Sequence, residues 1–562
     1  MSDFSFRGLE IHSSRMWQQA QVEQALDFIV QTEMNAIVFN QNDIIDSVVF
    51  PDKYFSDDLM WRRWPPRNTA VKNNRTYING VIKLAKSRDV EFYFEAKELA
   101  FPPGLLELKP DLVNTDGSLC PFNPFWTIFL HDKLEELCLV IPDFSGIIFS
   151  IGTRESMLSI AANQCNCEQC CTKSELNWYL GIFDTIYKVL NSYGKKLIIR
   201  DFSFTGDQQS IMIKAAQKCS DNVIISLKNT PRDYYPPYPQ NPLIGCTKLA
   251  EWVEFDTWGQ FFGIGLFPVS VVEYMKHCIQ QCQSKNVKGI LLRTDWECLN
   301  EGSAFSGMNL LNVYAGAIFS RDVGFDIDEV YKTWVQHGFV TGMRPGSCLV
   351  KPIIPTVPDA YISIRDFMKA SWKVMEKTNY VRSLLFGESV LPPDTVQKAF
   401  DMMVHIHGRD DWDPGSSKLV ETTPENIEII FAEKEKALQE VKKLPSILKA
   451  NDLGLPESFV REISDCLDLY VYFVEMMGHC TRVCFLTHMA QNTRNISDIS
   501  KVSDYLPIMK EFIAKMKERI EGRNYHHHLY FMLNEGRLHS LTQNVETVLA
   551  DLFQSIEGSA GK

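Results

Sequence analysis

Eight short runs of apolar or β-branched residues, separated by stretches with helical spacing, fill the first half of this chain, and that alternation leaves few folds open. The runs are Phe6 to His12, Ala36 to Asn40, Val90 to Glu95, Gly146 to Gly152, Lys196 to Phe202, Val223 to Lys228, Trp252 to Asp256 and Gly289 to Asp295. Strands that alternate with helices build βα units around a parallel sheet, and eight of them suffice to close it. Between the runs lie segments such as Gln18 to Thr32, where Val22, Ala25, Leu26, Ile29 and Val30 recur at helical spacing. The spacing predicts an α/β fold, a (β/α)8 TIM barrel, over residues 1–320. From about Ser320 the strand signals fade. Faces such as Met509, Phe512, Ile513, Met516 and Ile520 predict an all-α C-terminal domain over residues 321–562. A chain of 562 residues is too long for one ordinary domain, which agrees with that division.

The formal net charge of −13 argues against a nucleic-acid footprint, which needs clustered Lys and Arg. The start, MSDFSFRGLEIHSSRMW, lacks a basic stretch followed by an apolar one, and no run of about 18 apolar residues follows. The expectation is a cytoplasmic protein with no membrane partner. Fifteen scattered cysteines then read as reduced thiols.

Three acids stand just past or within the ends of predicted strands: Glu155 after GIIFSIGTR, Asp233 after VIISLKNTPR, and Glu254 in EWVEFDTWG. In a barrel of this kind, reactive groups from different strands converge at the C-terminal mouth. Opposed carboxyl groups there suit glycoside hydrolysis, where one protonates the leaving oxygen and another activates water or attacks the anomeric carbon. Each acid also has a structural explanation: a rim salt bridge to Arg154 for Glu155, a turn in Pro231-Arg232-Asp233, and a buried pair for Glu254. Arg200 and Lys228, on adjacent strands, could grip a substrate carboxylate or simply neutralise these acids. Phe149, Phe202, Trp252 and Trp258 offer low-polarity walls. Asp295 and Glu297, at the end of the eighth strand, are rim acids suited to sugar hydroxyls or to holding Arg293. Glu10, His12, Arg15 and Glu95 read as structural residues that could also line the pocket. Trp61-Arg62-Arg63-Trp64-Pro65-Pro66 and Phe101-Pro102-Pro103-Gly104 read as long loops over the cleft.

The segments ISLKNTPRDYYPPYPQNPLIG and WVEFDTWGQ, with Glu155 in GTRES, Arg200 in LIIRDF, and FSGMNLLNVYAGAIFSRDVGFDIDEVYKTWV, resemble the glycoside hydrolase family 67 α-glucuronidases. The resemblance spans the barrel and the start of the helical part. It implies an inverting glycosidase that removes a terminal α-glucuronosyl residue from a short oligosaccharide. Glu155 would be the general acid, and Asp233 and Glu254 would share the base side, with the division between them open. Arg200, Lys228, Asn229 and Trp258 would be substrate contacts. Two departures stand out: the family's β-rich domain ahead of the barrel is missing, and Ile151 stands where the family has a lysine. A barrel glycosidase for an N-acetylhexosamine or neutral hexose, and a catalytically silent carbohydrate-binding protein, are the alternatives.

Other motifs point to less. Cys165, Cys167, Cys170 and Cys171 in NQCNCEQCC could bind zinc, but adjacent Cys170 and Cys171 do not easily share one ion, so no metal is assigned. His526, His527 and His528 fall in an apparent helix and point in different directions. His405 and His407 could bind sugar or pack. No nucleotide cofactor is implied, because Phe262-Gly263-Ile264-Gly265 lacks the full phosphate-binding pattern. The helical domain is a candidate surface for homodimerisation.

Overall fold

The structure is a computed structural model that describes residues 4–97, 99–102, 104–151, 158, 165–295, 305, 307–337, 353–525 and 527–560, with the backbone alone at 151, 527–528 and 557–560. Eight parallel strands close into a barrel: β1 (Phe6–His12), β2 (Ala36–Asn40), β3 (Glu91–Lys97), β4 (Gly146–Ile151), β5 (Lys196–Asp201), β6 (Ile224–Lys228), β7 (Ala250–Asp256) and β8 (Gly289–Arg293). They pair in chain order, and β8 returns to β1 with Glu10 beside Arg293. The helices α1 (Gln19–Gln31), α2 (Pro65–Lys86), α3 (Pro124–Val140), α4 (Glu175–Ser192), α5 (Gly206–Cys219), α6 (Val272–Ser284) and α7 (Leu310–Arg321) follow β1 to β5, β7 and β8.

No helix stands between β6 and β7. That stretch carries Pro231, Pro236, Pro237, Pro239 and Pro242, which withhold backbone donors and break any helix. The C-terminal region fills the gap. Tyr234, Tyr235, Tyr238 and Phe261 pack with Tyr380 and Leu385 of a hairpin formed by β9 (Tyr380–Val381) and β10 (Leu384–Leu385). His407 Nδ1 lies 2.6 Å from the Tyr235 hydroxyl, and Arg232 donates to the His405 carbonyl at 2.9 Å. The imidazole of His407 thus has a packing role, while His405 contributes its carbonyl and is exposed.

The rest of the C-terminal region is helical, built from α8 (Ala360–Asn379), α9 (Pro424–Val441), α10 (Glu457–Thr493), α11 (Ile496–Glu521) and α12 (Glu535–Ala560). Met509, Phe512, Ile513 and Met516 on α11 are buried as their spacing predicts. Phe267 of the barrel stacks on Tyr470 of α10 with ring centroids 4.3 Å apart. Among the described residues, no helix is long and apolar enough to cross a membrane.

Two local expectations need correction. Trp61 to Pro66 is not a loop: it joins a short helix, Asp57–Arg63, to α2. The Ser56 hydroxyl caps the first helix by accepting from Leu59 N–H, and Pro65 opens the second, where its missing donor costs nothing. His527 and His528 also lie outside α11, in a 3-10 turn over His527–Met532 before α12, and His526 lies outside the described residues.

Inside the barrel, side chains alternate with a period of two. The lower positions are apolar: Phe6, Ala36, Val38, Tyr93, Ile148, Ile198, Trp252 and Leu291 fill the floor. Phe6 lies flat on Trp252 with centroids 3.5 Å apart, and Gly289 makes room for that stack, since a Cβ there would come within 2.4 Å of the indole. Two residues further along most strands, the inward position turns polar.

Candidate active site

The polar upper layer consists of Glu10 and His12 on β1, Asn40 on β2, Glu95 and Lys97 on β3, Ser150 on β4, Arg200 on β5, Ser226 and Lys228 on β6, Glu254 and Asp256 on β7, and Arg293 on β8, all buried. A cavity of about 120 Å³ opens above it, lined among others by His12, Glu95, Lys97, Arg200, Asp233 and Arg293. Volumes below about 300 Å³ are small for a ligand site, so this one suits a single ring.

Arg200 organises one side. Its Nε donates to both oxygens of Glu254, at 2.8 and 3.1 Å, while Nη1 reaches Ser150 Oγ at 3.1 Å and Nη2 reaches the Tyr234 hydroxyl at 2.8 Å. Glu254 also accepts from Ser226 Oγ at 2.6 Å and from Tyr234 at 2.8 Å. Burial pushes the Glu254 carboxyl up, but the Arg200 charge and these hydrogen bonds outweigh it and hold the group below its ordinary value. Glu254 is thus an ionised, fully engaged carboxylate behind the cavity wall.

Glu95 has the opposite environment. Its Oε1 lies 3.1 Å from Arg200 Nε, yet that N–H is aimed at Glu254, and neither Glu95 oxygen has a hydrogen-bond partner. Burial raises its pKa, against Arg200 and with help from Glu254. Glu10 is raised further, by burial first and then by Glu95; it accepts from Asn40 at 3.1 Å and lies 3.5 Å from Arg293 Nε. Three carboxyl groups share two guanidinium groups here, so their mutual repulsion adds to burial in raising Glu10 and Glu95. Burial, then Arg293 and Arg200, keeps His12 neutral.

Of the residues singled out in the sequence, Asp233, Arg200, His12, Glu95 and the wall residue Phe202 line the cavity directly. Asp233, partly exposed, lies 3.4 Å from Lys228 Nζ. Lys228 also donates to the Arg232 carbonyl at 2.8 Å and sits 3.8 Å over the Phe202 ring; burial pushes its pKa down to about 8 against the pull of Asp233. Asp295 is buried and paired with Arg15. Asn229 turns away from the cavity to donate to Tyr274 on α6 at 2.6 Å, and Trp258 is enclosed in the core. Glu155 and Glu297 lie outside the described residues. Lys97, Ser150, Tyr234 and Asp256 were passed over in the sequence, and Glu95 was read mainly as structural. A polar residue at an inward position of an otherwise apolar strand was the signal for all but Tyr234. Asp256 accepts from the N–H groups of Trp258, Gly259 and Gln260, and burial still raises it to about 6.

No protein-family model and no curated protein matches the chain. Among solved structures, similarity is found to a glycoside hydrolase family 138 enzyme targeting pectin rhamnogalacturonan II, at 11% identity and a TM-score of 0.64, covering 100% of this chain and 85% of that one. A Clostridium perfringens family 89 enzyme solved with GlcNAc-alpha-1,4-galactose aligns at 10% identity and a TM-score of 0.49, over 91% of this chain and 54% of that one. At 11% identity the likeness to the family 138 enzyme agrees with the fold, a closed barrel continued by a helical region, and leaves chemistry to the site.

Proposed function

We propose that this chain is a glycoside hydrolase that removes a terminal uronic acid residue from an oligosaccharide. The observation that carries the reading is the one-ring cavity that Asp233, from the loop after β6, and Glu95, on β3, line together with Lys97, Arg200 and Arg293. Burial raises Glu10 and Glu95 and so weakens their neutralisation of the cationic groups, which favours an anionic ring. The resemblance to the α-glucuronidases supports the same class and an inverting course.

Asp233 takes the role of base toward the attacking water, because it borders the cavity and pairs with Lys228. Glu254, enclosed by Arg200, Ser226 and Tyr234, holds Arg200 in place and does not meet the water. Glu155 remains the general acid on the strength of the resemblance. Glu95 hydrogen-bonds a sugar hydroxyl, a use its unpartnered carboxyl suits. Engagement of Arg200 and Lys228 by acids favours a second reading, a neutral sugar in the same pocket.

The test is hydrolysis of uronic-acid-capped, neutral and N-acetylated oligosaccharides by the purified protein. Release of the uronic acid alone supports the proposal. Release of another sugar retains a hydrolase and discards the uronate pocket, and binding without turnover would make the chain a carbohydrate-binding protein.

A further inference from the structure

The cysteine motif of the loop after β4 does not stand alone. Cys165, Cys167 and Cys170 meet Cys120, which belongs to the connection between β3 and α3, and their four sulfur atoms lie within 4.8 Å of one another. Cys120 Sγ is 3.4 Å from Cys167 Sγ and 3.6 Å from Cys170 Sγ. Four thiolates on one zinc ion, with bonds of about 2.3 Å in tetrahedral array, stand about 3.8 Å apart. A disulfide would require about 2.05 Å. The sulfurs are therefore spaced for an ion and not for a bond.

The surroundings fit as well. Cys171, the neighbour that could not share an ion with Cys170, turns its thiol to the Asn166 carbonyl at 3.7 Å. The N–H of Cys170 points at the Cys167 sulfur. Asn114 donates to Cys165 Sγ at 3.3 Å, a second contact that orients a ligand sulfur. The segment around Cys120 is fixed independently: Trp126 Nε1 donates to the Cys120 carbonyl and Trp178 Nε1 to that of Pro121, each at 3.2 Å. One sulfur is buried and three are partly exposed, so an ion can enter.

We propose that Cys120, Cys165, Cys167 and Cys170 bind a structural zinc ion that ties the loop after β3 to the loop after β4. A closed set of four thiolates leaves no position for water or substrate, so the metal braces and takes no part in catalysis. Both loops leave the C-terminal ends of their strands, the end where the candidate active site lies. The clip would fix the far end of the segment that carries Glu155, which in the sequence lies between β4 and Cys165. The inference does not depend on the glycosidase reading.

Elemental analysis of the full chain, purified with reductant and without chelator, should find about one zinc per chain, falling to less than about a tenth in Cys120→Ser and Cys167→Ser and unchanged in Cys171→Ser. If the serine variants fail to fold, the wild type still decides the matter. An organomercurial should release its zinc as the four thiols react, and cobalt substitution should give the intense visible bands of a tetrahedral tetrathiolate site. Folded wild type without zinc, zinc retained in Cys120→Ser, iron at the same stoichiometry, or a Cys120–Cys167 disulfide that persists in protein purified with reductant would each overturn the assignment.

Discussion

Glu254 and Glu95 both lie against Arg200, and their hydrogen bonds shift them in opposite directions. Arg200 gives its Nε–H to Glu254, which holds that carboxyl below its ordinary value, while Glu95 has no hydrogen-bond partner and is raised by burial. Glu254→Gln therefore leaves a buried guanidinium short of its main anion and should destabilise the protein by about 3 kcal/mol in chemical denaturation at pH 7. That figure is at the low end for a broken buried pair because Glu95 can then ionise in its place. Glu95→Gln removes a carboxyl group that accepts no hydrogen bond and should cost less than about 1 kcal/mol under the same conditions. An equal loss in both variants would show that Glu95 is ionised. Asp256 makes a pH-dependent contribution. Its pKa rises from 3.8 to about 6 on folding, so the stabilisation it provides is complete below about pH 4 and is lost as pH rises through about 6. The loss approaches about 3 kcal/mol, and denaturation midpoints measured across that range should show a step that Asp256→Asn removes.

At the scale of elements, the barrel depends on a division within each strand between an apolar lower half and a polar upper half. Gly289→Ala drives a methyl group into the Phe6–Trp252 stack and should cost about 1–3 kcal/mol while leaving the upper layer intact. Loss of activity out of proportion to that destabilisation would contradict the separation of floor and site. Strand positions were readable in the sequence because burial on both faces makes each run apolar throughout, and turns bound it clearly. The missing helix between β6 and β7 was not anticipated, although the five prolines there already forbade it. Lys97 and Asp256 could have been found by following the inward alternation past the last apolar residue. Tyr234 and Cys120 could not. Tyr234 reaches Glu254 from a turn whose path local spacing does not determine, and Cys120 comes from 47 residues upstream of Cys167, a separation only the fold closes.

Over the whole molecule, the C-terminal helices are more than an appendage. With the β9–β10 hairpin and His407 they cover the side of the barrel that lacks its own helix between β6 and β7, through Tyr380 and Leu385, and α10 sets Tyr470 against Phe267. Unfolding followed by tryptophan fluorescence and by far-ultraviolet circular dichroism should accordingly coincide in one transition; two separated transitions would mean that the helical region and barrel are stable independently. The most direct test of the account as a whole is proton NMR of the first product formed from an α-linked uronide, with wild type and Asp233→Asn side by side. The account predicts a β-configured uronic acid, formed at least about 100-fold more slowly by a folded Asp233→Asn variant that still binds the substrate. Formation of the α-anomer, an undiminished rate in the variant, or no product from the wild type would contradict it.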